Sequence, residues 1–375
     1  MAEKKLHILF LCGWYPSRVL PNNGDFIQRH AEATALKHHI SVLHIISDVT
    51  VKETFEFFSS NINNVHTYIA YIKPSKNPLI KGYRFFKAFF TLLKKTGKVN
   101  LVHLNKLFPF GLLALYLKWF CKIPYIISEH WTGYHFPQAN NIHKPELFFS
   151  KIITKNAAFV CPVSDNLKKA MVALGFTGNY QKVPNVVDTD LFLPSSEKNT
   201  VFTILHVSNM LDSHKNVSGI IKTMVEFSKH TTDFQLILIG ENSNNYKPLA
   251  KKLNIDHNLH FLEHLPHQEI VSYMQRAHVF VLFSNYENLP CVILESFACG
   301  TPVISTHVGG ISEYFPDDFG FLIEPDNEKQ LVSSLLKIYN APTSNSQEMH
   351  KFAQRYFSKL SIATLFDSLY KKALP

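Results

Sequence analysis

Two glutamates, Glu287 and Glu295, stand with seven residues between them in the stretch of this sequence best suited to chemistry. An apolar run, Val279 to Ser284, leads into Asn285-Tyr-Glu-Asn-Leu-Pro-Cys-Val-Ile-Leu-Glu-Ser-Phe-Ala-Cys-Gly-Thr-Pro-Val-Ile-Ser305, and Gly309-Gly310 follows. Pro290 suits a first helical turn, where a missing N–H is no loss. Gly300 followed by Pro302 suits a helix stop. Glu287 is therefore expected in a loop between the carboxyl end of a strand and a helix, and Glu295 within that helix. A carboxylate there can grip paired sugar hydroxyls, and the free N–H groups of a helix start favour an anion or a polarised oxygen. The plainer reading is a capping Glu287 and a solvated Glu295, and spacing alone leaves both open.

Three further positions could join such a site. Lys215, in Ser208-Asn-Met-Leu-Asp-Ser-His-Lys215-Asn216, is expected to open a helix running to Phe227, with Val217, Ile220, Ile221, Met224 and Phe227 on one face. A cation at a helix N-terminus is unfavourable unless an anion shares the site; a diphosphate would supply one, and a plain surface charge is the alternative. Gly24, after Pro21-Asn-Asn, would let backbone approach a phosphate, although Asn-Gly is also an ordinary turn. His130, in Ser128-Glu-His-Trp-Thr-Gly133, follows a strand candidate and is expected to point into a cleft with Glu129 as companion, or else to bond nearby backbone. Metal and disulfide chemistry find little support. The five cysteines form no C-x-x-C pair, H-E-x-x-H is absent, and His38-His39 is a bare pair, which fits a reducing compartment.

These residues need a scaffold, and 375 residues at 43.0 kDa exceed one ordinary core of up to ~250 residues. Two domains are expected. With 46% hydrophobic and 18% charged residues and a mean hydropathy of −0.02, the chain can bury both cores. No internal repeat appears, which excludes collagen, coiled coil and solenoid. Short apolar runs alternate with helical patterns throughout, the mark of parallel α/β architecture. Strands are expected at Leu6–Cys12, Ser41–Ile46, His66–Ile72, Leu101–Leu104, Tyr125–Ser128 and Ala158–Val163, then at Thr203–Ser208, Gln235–Gly240, Leu259–Leu262, Val279–Ser284 and Pro302–Ser305. Both periodicities lapse near residues 185–200, and charge changes sign there. Residues 1–190 carry 23 Lys and Arg against 11 Asp and Glu, a net of +12, while the remainder nets −3. The first half is thus expected to face something anionic. The N-terminal apolar run is too short for a signal peptide and no later run approaches the ~20 residues of a membrane span, so a cytoplasmic chain is expected.

Taken together, Glu287-x7-Glu295, the preceding Ser284, and the following Ala298-x-Gly300-Thr-Pro-Val-Ile304 and Gly309-Gly310-x-x-Glu313 resemble the signature of family 4 retaining glycosyltransferases with the GT-B fold. Val183-Pro-Asn-Val-Val-Asp188 resembles a second family stretch, and the first half resembles it loosely. The resemblance implies two doubly wound Rossmann-like domains with a cleft between them: an acceptor-binding domain over 1–190, a nucleotide-sugar domain over 191–358, and a C-terminal helix over 359–375 packing back on the first. It implies a UDP- or GDP-linked sugar donor, a glycan or lipid-linked acceptor, hexosyl transfer without a metal or resident cofactor, and no nucleic-acid partner. Glu287 would contact the donor sugar with the backbone of Asn288 and Leu289, and Glu295 the ribose hydroxyls. Lys215 would meet the diphosphate, Gly24 would lie near the phosphates, and His130 near the reacting sugar. The sequence departs from the family at Asn209, where Arg is common. Asp188-Thr-Asp190 would read as a manganese motif in the GT-A fold, but here it falls in the family's Asn-x-x-Asp-x-x-x-Phe stretch and is assigned no metal. A GT-B nucleotide-sugar 2-epimerase and a catalytically silent, membrane-associated nucleotide-binding scaffold remain as alternatives.

Pro78 to Lys98 is the most specific feature of the first half. At 100° per residue, Lys81, Arg84, Lys87, Lys94, Lys95 and Lys98 share one arc. Leu79, Tyr83, Phe85, Phe86, Phe89, Phe90, Leu92 and Leu93 lie opposite, with Ile80 astray. Either the whole apolar arc packs on the sheet, or part of it rests on an anionic inner-membrane surface with the lysines at the headgroups.

Overall fold

The apolar runs fold into two mainly parallel sheets, one in each half of a computed structural model that describes residues 5–341 and 345–374. The apolar run weighed against a signal peptide, Leu6–Cys12, lies within the described residues. The first unit extends to Val186 and takes up the chain again from Lys359; the second is Val187–Ser358.

In the first unit the strands are β1 (His7–Cys12), β2 (His39–Ser47), β3 (Phe55–Ile62), β4 (Val65–Ile72), β5 (Leu101–Asn105), β6 (Tyr125–Glu129) and β7 (Phe159–Pro162). Their order is β3-β4-β2-β1-β5-β6-β7, parallel except for β3 against β4. Helices α1 (Asp25–Ala35), α2 (Pro78–Thr96), α3 (Phe110–Cys121), α4 (Lys144–Asn156) and α5 (Asp165–Ala173) connect them. The second unit has β8 (Phe202–Val207), β9 (Phe234–Ile239), β10 (Leu259–Leu262), β11 (Val279–Leu282), β12 (Val303–Thr306) and β13 (Gly320–Ile323) in the order β10-β9-β8-β11-β12-β13. Its helices are α6 (Asp212–Lys215), α7 (Val217–Phe227), α8 (Lys247–Lys252), α9 (His267–Arg276), α10 (Cys291–Ala298), α11 (Glu328–Asn340) and α12 (Ser346–Phe357).

Every expected strand is present within two residues at either end. β3 and β13 are the additions. β3 is an edge strand with five of its eight residues exposed, so it needs no continuous apolar run, and β13 is only four residues long. The units part at Val186/Val187 rather than 190/191, because the Val187 N–H donates to the Phe357 carbonyl at 2.9 Å while Val186 stays in the first core.

The final helix, α13 (Lys359–Ala373), packs on α1 and buries Ile362, Phe366 and Tyr370 in the first core. Buried histidines serve as its polar contacts. His103 Nδ1 meets the Tyr370 hydroxyl at 2.7 Å, its Nε2 meets Ser128 at 2.7 Å, and His38 faces Asp367 at 3.2 Å. Burial pushes His30 and His44 down to about 4 and His103 well below the ordinary 6.5; among the described residues of the second unit, only His206 shifts as far, to about 4. These rings are therefore neutral in the native state. Between pH 6.5 and 4 the unfolded chain binds more protons than the folded one, so stability must fall as pH falls. Trp14, Trp119 and Trp131 all lie in the first unit, which makes their fluorescence a probe of that unit alone. The melting temperature read by tryptophan fluorescence should drop steeply from pH 6.5 to 4; a flat profile would mean that these histidines are charged in the fold.

Candidate active site

β8 lies between β9 and β11, so the connections after β8 and β11 leave the sheet where its strand order reverses, at the carboxyl ends. Both loops are tied down. After β8, His206 bonds the Val281 carbonyl and Ser208 Oγ, each at 2.8 Å, and Ser208 Oγ accepts the Met210 N–H at 3.0 Å. Asn209 turns its side chain back on the loop, where Oδ1 accepts the Leu211 N–H at 3.3 Å.

The helix expected from Lys215 is divided. Lys215 ends the one-turn α6, and Asn216, at φ +47, caps α7 by accepting the Gly219 N–H at 3.2 Å. A Cβ at Gly219 would lie 2.5 Å from that cap oxygen, so glycine lets the cap approach closely.

After β11, Thr306 Oγ1 donates to the Ser284 carbonyl at 2.6 Å. Asn285 then links the two loops, its N–H donating to the His214 carbonyl at 2.8 Å and its Nδ2 to that of Ser213 at 3.2 Å. Gly309 presses on the Glu287 carbonyl, which a Cβ would approach to 1.9 Å, and the Gly310 N–H donates to the Asn288 carbonyl at 2.8 Å. The glycine pair thus allows one loop to lie flat on another.

This framework brings Lys215 Nζ into a hydrogen-bonded ion pair with Glu287 Oε1; the side chains are only 16% and 9% exposed. Lys215 is not a surface charge. The anion that its position calls for is, in the structure, Glu287. Nor does Glu287 cap α10, whose N-cap is Pro290 with no side-chain cap bond, one residue earlier than the expected first turn. Asn288 and Leu289 are buried beside it, at 5% and 4%. Glu295 is 2% exposed on a helix buried from Ile293 to Ala298, which removes the solvated reading.

In the first unit, Gly24 starts α1 at φ +80, and a Cβ there would meet the Trp14 carbonyl carbon at 2.7 Å. Its glycine is a folding requirement. Two residues on, Phe26 packs against the His130 ring, 4.6 Å between centroids, with His30 at 5.3 Å. Burial holds His130 well below the ordinary histidine range, so the ring is neutral, and the Asn185 side chain lies close enough to act on it. That contact gives the Val183–Asp188 stretch a role the sequence did not reveal. Glu129 is a clamp rather than a companion acid. Its Oε1 accepts the His130 and Trp131 N–H groups at 2.9 and 3.1 Å, and Oε2 accepts the Leu107 N–H and Tyr134 hydroxyl, both at 3.3 Å. Asp188 shapes a turn, accepting the Asp190 N–H at 3.3 Å, and no metal-binding cluster occurs among the described residues.

Two doubly wound units with polar loops at the carboxyl ends of their strands define the GT-B class of α/β enzyme. Solved structures agree. The chain aligns over 98% of its length with 99% of sucrose-phosphate synthase from Thermosynechococcus elongatus, at TM-score 0.80 and 19% identity. HepE from Anabaena, solved with UDP, aligns over 98% and 99% at TM-score 0.75 and 14% identity.

Residues 188–356 match the group 1 glycosyl transferases and residues 30–191 match glycosyltransferase family 4. The chain belongs to this family. Among curated relatives, a phosphatidylinositol N-acetylglucosaminyltransferase component from Arabidopsis thaliana is 24% identical over 66% of this chain and 56% of its own length. A Campylobacter jejuni N-acetylgalactosaminyltransferase is 27% identical over 70% of this chain and 74% of its own. The matched region is thus little more than half of the Arabidopsis protein.

The ion pair has a measurable signature. Lys215→Met and Glu287→Gln should each lower stability to urea, because each leaves a partly buried charge alone. The double variant should be less destabilised than the sum, with a coupling of about 0.5–3 kcal/mol. Additive effects would show that the two groups do not interact.

Proposed function

We propose that this glycosyltransferase moves a hexose-type sugar from a UDP- or GDP-linked donor to a hydroxyl of a glycan or lipid-linked acceptor, with retention at the anomeric carbon and without a metal. The observation that carries the reading is the Lys215–Glu287 pair at the carboxyl ends of β8 and β11, next to the helix that bears Glu295. An arriving diphosphate competes with Glu287 for the Lys215 ammonium. Glu287 is then released to accept hydrogen bonds from the donor sugar, with Asn288 and Leu289 offering backbone. Glu295 accepts from the ribose hydroxyls. Neutral Asn209 leaves Lys215 as the cation assigned to the leaving group.

From the first unit, Gly24 and His130 are assigned to the phosphates and the reacting sugar, where a neutral imidazole can hydrogen-bond without adding charge. The departing phosphate takes the acceptor proton on the face it leaves, which gives retention. HepE, solved with UDP-glucose, supports the donor class, and the two relatives whose names carry phosphatidylinositol and diphospho-undecaprenol support a lipid-linked acceptor in glycolipid or polysaccharide synthesis.

Ribose contacts are alike in ground and transition states, so Glu295→Ala should raise the donor Kd with a smaller effect on kcat, while Glu287→Ala should mainly lower kcat. The reverse pattern would overturn the assignment. NMR of the product should show retained configuration and no epimerised donor, and chelation should leave the rate unchanged.

The same reading places the protein on the inner membrane face. No described helix is long and apolar enough to cross a membrane, but α2 is only partly covered. Ala88, Phe89 and Leu92 are buried, whereas Leu79, Ile80, Tyr83 and Phe86 are 82%, 41%, 61% and 42% exposed. The apolar arc thus packs on the sheet only in its second half, and the first half offers apolar side chains beside Lys81 and Lys87 to an anionic surface. Wild type should float with strongly anionic liposomes at low salt, and a variant with Lys81, Lys87, Lys94 and Lys95 changed to Glu should not. Wild type left in solution would reject the membrane role and favour a soluble acceptor.

A further inference from the structure

The first sheet has a switch point of its own. β1 lies between β2 and β5, so the loops after β1 and β5 part at the carboxyl ends of their strands. Lys106, the first residue after β5, has φ +77, a left-handed conformation that few non-glycine residues adopt and that clusters at ligand sites. Its stem lies so close to Gly13 that a Cβ there would meet Lys106 Cβ at 3.0 Å. The ammonium sits over two indoles, 4.4 Å from the Trp14 ring centre and 5.5 Å from that of Trp131, which follow β1 and β6. An indole face holds a cation in place but takes no strong hydrogen bond from it.

Glu129 and Glu146 are near enough to be felt, yet the Glu129 oxygens are already engaged by four loop donors. Among the described residues, Lys106 makes neither a hydrogen bond nor an ion pair. A partly desolvated ammonium in that condition is unfavourable. The lysine beside the second sheet's switch point, by contrast, has Glu287. Strain, positioning and the lack of a directly paired carboxylate all fall on one side chain.

We propose that Lys106, framed by Trp14 and Trp131, binds the phosphate of a phosphate-bearing sugar acceptor at the switch point of the first sheet. The role as acceptor site rests on the glycosyltransferase reading; the anion site itself does not. Two sources share this chemistry, the diphosphate of a lipid-linked saccharide and a soluble sugar phosphate.

The test is a tryptophan-fluorescence titration of the full chain with inorganic pyrophosphate, glucose 1-phosphate and farnesyl diphosphate, with glucose as control. All three tryptophans lie in the first unit, and repeating the titration in Lys215→Ala removes the lysine proposed for the donor diphosphate. Wild type and Lys215→Ala should respond saturably to the phosphates and not to glucose. Lys106→Gly relieves the left-handed backbone, so it should fold, yet bind about tenfold more weakly, the scale of one charge-assisted contact. Lys106→Arg should retain binding. Tighter binding of farnesyl diphosphate than of glucose 1-phosphate identifies the lipid-linked source, and the reverse order the soluble one. Equal curves for wild type and Lys106→Gly, or no response to any phosphate, overturn the site. Sugar transfer with equal curves would reject this proposal alone; a Lys106-dependent response without transfer would reject the enzymatic reading alone.

Discussion

A lysine and a glutamate 72 positions apart share one hydrogen-bonded contact at the carboxyl ends of the second sheet's central strands, and much of that unit's design follows from keeping them together. Neither charge could be held so deep alone, since an unpaired buried ion is among the most expensive features a fold can contain. The pair therefore demands two loops of fixed height. His206 braces one from beneath, Thr306 braces the other, and Asn285 joins them through two carbonyls. The glycines then become intelligible: Gly219 accommodates the cap that divides α6 from α7, and Gly309 lets a neighbouring loop lie against the Glu287 carbonyl. These positions serve packing, and packing serves the pair.

The first unit solves a different problem. It must attach α13 to a sheet whose interior is apolar, and it does so mainly with imidazoles, one of them facing the Asp367 carboxylate. A neutral histidine offers one donor and one acceptor without the desolvation penalty of a charge. His103 uses both nitrogens, toward Tyr370 and Ser128, and the ring also packs on Phe10 and Phe366. Four buried histidines of this unit, His30, His38, His44 and His103, serve as polar contacts in its core. Such bonds are directional, so they fix the seating of a helix that apolar packing alone would leave free to slide.

What the sequence disclosed follows from the range of the interactions involved. Strands such as Gln235–Gly240 were legible because burial on both faces leaves a continuous apolar run. Glu287 and Glu295 were legible as chemistry because a strand end and a helix stop bracketed them. β3 was not, since an edge strand needs only one covered face and Glu56, Ser59 and Asn61 break the pattern. The division at Asn216 was hidden because a left-handed cap depends on one side-chain oxygen meeting one N–H. Burial of Glu295, and the engagement of Glu129 by four donors, were equally beyond reach. Both depend on contacts between distant segments, and a lone sequence carries no record of those.

Charge placement differs between the units in a way that bears on how each would receive an anion. In the second unit the cation is already satisfied, so on the proposed donor mode an incoming diphosphate would exchange one anionic partner of Lys215 for another. The net gain from that contact would be small, and affinity would have to come from contacts made elsewhere in the ligand. The proposed exchange would nevertheless do something that a bare lysine would not, because the same event that bound the phosphate would free the Glu287 carboxylate for the sugar. Ligand recognition and preparation of the carboxylate would become one step. In the first unit Lys106 lies over indole faces, with Glu129 and Glu146 acting on it without a direct ion pair, so an anion could meet it without displacing a bonded carboxylate. A neutral Asn209 is consistent with this division: a second cation beside Lys215 would share Glu287, loosen the pair, and weaken the coupling between phosphate arrival and carboxylate release.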